Sequence, residues 1–111
     1  MKHLQTFEGF LNESKGMGPK LTAVWNKYKR SGIEATTGDD LQDFYDDGEL
    51  DGSCTDAIDK LGKAKDLVDF STVNGGEDKF PAFIADLGKA GLKTAEYMVD
   101  HGGPCVVVVN A

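Results

Sequence analysis

Between Asp39 and Asp51 the chain concentrates seven carboxylates: Asp39, Asp40, Asp43, Asp46, Asp47, Glu49 and Asp51. The first chemistry such a run could do is to hold a cation. With Asp47 at the first position of a calcium-binding EF loop, Glu49 takes the third and Asp51 the fifth. Gly52 then stands at the sixth, where the loop must turn sharply. The twelfth position must supply a bidentate carboxylate and is Ile58. The pattern fails at its most important ligand, so an acid-rich turn is the better reading and no metal site is expected.

Nucleophilic catalysis needs a nucleophile, a base and a group that orients the base. The imidazoles are His3, in an N-terminal helix, and His101, at a helix end where a cation is favourable in its own right. Cys54 stands beside Asp56 with no electropositive neighbour to lower its pKa. Cys105 opens an apolar strand and reads as a small buried hydrophobe. Asn74-Gly75-Gly76 and His101-Gly102-Gly103-Pro104 lack the lysine and the strand–loop–helix setting of a phosphate cradle. The expectation is a chain without catalytic residues and without a cofactor.

Its 111 residues are 40% hydrophobic, enough for one small core and too many for a disordered chain. The net charge of −7 is segregated. Residues 1–30 set six basic side chains against Glu8 and Glu13, for +4. Residues 31–78 set fourteen acids against three lysines, for −11, and residues 79–111 balance. The acidic run is either a solvated face or a surface for a basic partner. That partner is another protein or the chain's own N-terminal region. Direct nucleic-acid binding is not expected at this charge. Trp25 and Tyr28 beside Lys27, Lys29 and Arg30 could stack on bases, but Leu21 and Val24 on the same stripe point to core packing. The longest apolar run, Val106–Val109, is too short to cross a membrane. No apolar signal segment opens the chain, so secretion is not expected.

The elements that must position these residues follow from periodicity. Leu4, Phe7, Phe10 and Leu11 form a stripe on a helix over about Leu4–Glu13, set off by Gly16 and Gly18. Pro19 opens a second helix carrying Leu21, Val24, Trp25 and Tyr28. Ile33–Thr37 is β-branched and extended. Thr37-Gly38-Asp39 starts a short helix with Leu41, Phe44 and Tyr45 inward, and Ser53-Cys54-Thr55-Asp56 starts a fourth. In that fourth helix Ala57, Ile58, Leu61, Ala64, Leu67 and Val68 repeat at helical spacing. Phe70–Val73 reads as extended, and a fifth helix as running from about Asp78 to Asp100, weakened at Gly88 and Gly91. Val106–Val109 favours a strand buried on both faces. It must pair with Ile33–Thr37, with Phe70–Val73, or with a second chain, which would make Val106 and Val108 contacts in a homo-oligomer. The fold class is α+β and mostly helical: four to five helices with a C-terminal strand in a small sheet. Residues 1–14 form a leader or first helix, and residues 15–111 one globular domain.

The opening Met1-Lys-His-Leu-Gln-Thr-Phe-Glu-Gly-Phe-Leu-Asn-Glu13-Ser14 resembles the N-termini of prohead-targeted proteins of T-even-type tailed phages. In that group an amphipathic leader directs a protein into the prohead, and a protease cuts after Leu-x-Glu or Ile-x-Glu. The resemblance implies a targeting face of Leu4, Phe7, Phe10 and Leu11. It also implies a processing site between Glu13 and Ser14, after Leu11-Asn12-Glu13. It extends over the first 14 residues only. Two functions are then expected, both non-enzymatic. One is a small virion-associated or packaged phage protein that contacts a phage structural protein. The other is a phage-encoded acidic inhibitor of a host protein, with Asp39–Asp51 imitating nucleic-acid charge. Either places the chain in the virion or the infected-host cytoplasm.

Overall fold

The stripe Leu21, Val24, Trp25 becomes the buried face of helix α1, Pro19–Tyr28, with the proline in its first turn. The computed structural model of the chain describes residues 17–73, 76–99 and 103–111. The leader helix, His3 and His101 lie outside the described residues, as do Leu4, Phe7, Phe10, Leu11, Glu13 and Ser14. Gly18 caps α1 with no side chain to offer. The far end of the chain supplies the missing acceptors. Asn110 Oδ1 accepts from the Gly18 N–H at 2.6 Å, and the Ala111 carbonyl accepts from the Leu21 N–H at 3.1 Å.

Strand β1, Ile33–Thr37, follows as the sequence predicts, then helix α2, Gly38–Asp46, and helix α3, Gly52–Leu61. Here the structure departs from the periodicity. Gly62, at φ +146°, stops α3, and Ala64–Asp66 forms a single 3-10 turn. Leu67 and Val68 therefore belong to strand β2, Leu67–Thr72, and not to the helix. In a strand buried on both faces adjacent residues are both apolar, and their spacing from Ala64 imitates a helix.

The second departure is larger. Helix α4 covers only Phe80–Lys89. Gly91, at φ +80°, ends it in a Schellman turn, with Leu92 N–H donating to the Leu87 carbonyl and Gly91 N–H to the Gly88 carbonyl. Buried Leu92 completes the turn. Thr94–Val99, predicted helical from Ala95 and Met98, is strand β3. It pairs with β4, Gly103–Val109.

The sheet is antiparallel throughout, in the order β1-β2-β4-β3. The α+β class stands, and the valine strand lies inside the sheet. The proposed pairing of β4 with a second chain is therefore corrected, because β2 and β3 occupy both of its edges. Val106 and Val108 are fully buried and are core residues, not partner contacts.

Alternation divides the sheet into two faces. Val68, Phe70, Val106 and Val108 join α1 and α4 in one core, with Trp25 and Phe83 at its centre. Trp25 is 1% exposed, so the base-stacking alternative is set aside in favour of packing. Leu67, Val107, Ala95 and Tyr97 join Leu41 of α2 and Cys54, Ala57 and Ile58 of α3 in the other. Phe44, expected inward, is 41% exposed on α2. Leu41 and the half-buried Tyr45 take the core side of that short helix.

Candidate functional site

Register places a polar group of residues on the α3 side of the sheet. Ser71 of β2, Cys105 of β4 and Tyr97 of β3 lie in one cross-strand row. Asp69, Val107 and Ala95 lie in the next row on the same face. The two rows floor a cavity of about 330 Å³, which Cys54 reaches from α3 and Glu49, Leu50 and Asp51 border from the α2–α3 loop.

Asp69 is the unusual member. It is an acid in an interior strand, 8% exposed, where carboxylates are rarely found without a partner. Its Oδ1 accepts a hydrogen bond from the Tyr97 hydroxyl at 2.6 Å. Among the described residues no other side chain donates to it. Burial pushes its carboxyl up to about 6, while the Tyr97 hydrogen bond pulls the other way. Burial and then the Asp69 charge raise the Tyr97 phenol. Burial, followed by the same charge, pushes the Cys54 thiol up to about 11, and burial also raises Cys105. The Tyr97 hydroxyl pulls both thiols the other way, as it does Asp69. The two cysteines are free.

Electrostatically, the cavity holds an anion among neutral donors. At neutral pH the thiols and the phenol keep their protons, and Asp69 is largely ionised. Among the described residues the cavity lining contains no lysine, arginine or histidine. Such a site accepts hydrogen bonds and attracts positive charge. It does not present a thiolate nucleophile. Among the described residues no three His, Cys, Asp or Glu side chains converge as metal ligands.

The predicted acidic run divides in two. Asp39, Asp40, Asp43, Asp46 and Asp47 lie exposed on α2 and at its end, whereas Glu49 and Asp51 border the cavity. Among the described residues none of the seven is in an ion pair. Asp46 accepts a hydrogen bond from Gln42 Nε2 at 2.9 Å. Asp69 and Tyr97 escaped the sequence reading. The interruption of the apolar run Leu67-Val68-Asp69-Phe70 by one acid was a signal that could have found the first. Tyr97 has none, because the spacing of Ala95 and Met98 around it is that of a helix. No family model, curated protein or solved structure matches this chain.

Proposed function

We propose that the protein is non-catalytic and works by protein–protein contact, offering the acidic face of α2 and the loop after it to a basic partner. The observation that carries this reading is the row of exposed carboxylates from Asp39 to Asp51, which makes no ion pair among the described residues. Helix stability accounts only for Asp39 and Asp40, which lie in the first turn where the helix dipole favours an acid. Asp39, Asp43 and Asp47 repeat at i, i+4 and i+8, where like charges repel. Asp46 and Asp47 sit at the C-terminal end, where the helix dipole disfavours them, and no basic residue occupies the last turn. Exposed Phe44, between Asp43 and Asp46, adds an apolar contact of the kind that anchors interfaces. The raised Cys54 thiol supports a non-catalytic role.

The leader resemblance supports a tailed-phage setting, either virion-associated or packaged in the prohead. The same acidic row favours a second reading, a phage-encoded inhibitor occupying a basic site on a host protein. Pull-down from phage-infected host lysate, at low and high salt, tests both. A basic partner should be held at low salt and released at high salt. The triple variant D43N/D46N/D47N, which leaves the first-turn acids in place, should weaken its binding by about tenfold or more while folding at least as stably. Retention that is equal at both salts and in the variant overturns the acidic-face reading. The captured protein, a head component or a host nucleic-acid-binding protein, separates the two settings. For the leader, co-expression with a matching prohead protease should cut between Glu13 and Ser14, and an intact bond removes the processing claim.

A further inference from the structure

We propose that the cavity between the sheet and α3 receives a primary alkylammonium group, with Asp69 as its counter-ion. The inference deepens the acidic-face reading and rests on it for the identity of a basic partner. The chemistry of the cavity stands independently of that reading.

Three observations converge on this ligand. Asp69 is 92% shielded from solvent, by its 8% exposure, yet one hydroxyl is its only side-chain donor among the described residues. A buried carboxylate is costly unless something compensates it, and an added ammonium group would do so. The space is present: about 330 Å³ lies at the small end of ligand sites and exceeds what a single water fills. Its lining also suits an alkyl chain ending in a cation. Leu50 and Val99 offer apolar wall for methylenes, Ser71 offers a hydroxyl acceptor, and Glu49 and Asp51 draw positive charge to the border.

The geometry also selects among cations. The Tyr97 hydroxyl already takes one lone pair of Asp69 Oδ1, which crowds the two-oxygen fork that a guanidinium binds best. An ammonium group needs one carboxylate oxygen and can spend its other donors on hydroxyl or sulfur acceptors. The titratable groups that line the cavity with Asp69 are Tyr97 of β3, Cys54 of α3, Cys105 of β4 and the border carboxylates Glu49 and Asp51. Of these, the phenol and the thiols stay protonated through neutral pH, and Glu49 and Asp51 lie exposed at the border. That leaves Asp69 as the buried carboxylate whose protonation the site senses most directly. Binding should weaken as pH falls below about 6, where its carboxyl gains a proton.

An amide-resolved NMR titration of the full chain with n-butylammonium chloride tests the assignment, with 1-butanol and tetramethylammonium chloride as controls at matched ionic strength. Shifts should centre on Asp69, Ser71, Tyr97 and Cys105, and the two controls should not reproduce them. Asp69→Asn, which removes the charge, and Ser71→Leu, which fills the floor, should each weaken binding by about tenfold or more. Thermal melts confirm that both variants fold. Shifts confined to α2, equal shifts with either control, or unchanged affinity in both folded variants overturn the proposal. Parallel titrations with spermidine and with a blocked Gly-Gly-Lys-Gly-Gly peptide separate the sources. Peptide binding assigns the site to a partner's lysine, and spermidine binding without peptide binding assigns it to a free amine. Butylammonium binding without any salt-labile partner would defeat the acidic-face reading and leave the cavity assignment standing.

Discussion

Asp69→Asn is expected to stabilise the protein by about 3 kcal/mol at pH 8 and to leave it unchanged near pH 4. The carboxyl titrates at about 6 in the folded chain, against an ordinary value of 3.8. The native state therefore holds this proton more tightly than the unfolded state does. The stability linked to Asp69 is fully present below pH 3.8 and is lost as pH rises through about 6. Asparagine keeps the shape and the acceptor for Tyr97, and it carries no charge to bury. Urea denaturation of both proteins at several pH values from 4 to 8 reads the difference, in which the titrations of the other carboxylates cancel. A gap that opens with rising pH is expected, and a constant gap would remove Asp69 as a buried anion. A residue that destabilises its own fold at neutral pH is typical of a functional position.

Phe83→Ala is expected to lose about 4 kcal/mol, a large part of the stability of a domain this size. Phe83 is fully buried, and its ring meets four others. The centroids of Phe70, Tyr28, Phe80 and Trp25 lie 4.8, 5.2, 5.9 and 6.2 Å away. Truncation opens a cavity where α1, α4 and the sheet meet, and rigid neighbouring rings collapse poorly into it. Chemical denaturation checks the loss. Phe44→Ala on exposed α2 serves as the comparison and should change stability by less than about 1 kcal/mol. Comparable losses for the two would contradict the placement of Phe83 at the centre of the core.

Much of the architecture was legible because local physics decided it. Pro19 and the stripe through Trp25 specify α1, the β-branched Ile33–Thr37 specifies β1, and four valines demand a strand. The misreadings share one cause. At Leu67–Val68 and again at Ala95–Met98, apolar positions fall at spacings compatible with a helix. What selects a strand there is pairing with residues far away in the chain. Glycine gave the local warning in both places: Gly62 and Gly91 each take a positive φ that ends the preceding helix.

The charge distribution was fully determined by sequence, and with it the exposed acidic row on α2. Charge alone could not show that Glu49 and Asp51 border a cavity whose floor holds a second kind of acid. That assembly depends on register. Asp69 and Tyr97 are 28 residues apart, and their 2.6 Å hydrogen bond exists because β4 holds β2 and β3 on either side of itself. Sequence determines which carboxylates the chain owns and which segments are helical or extended. Only the tertiary structure decides that Asp69 is taken out of water, because burial depends on neighbours brought from elsewhere in the chain.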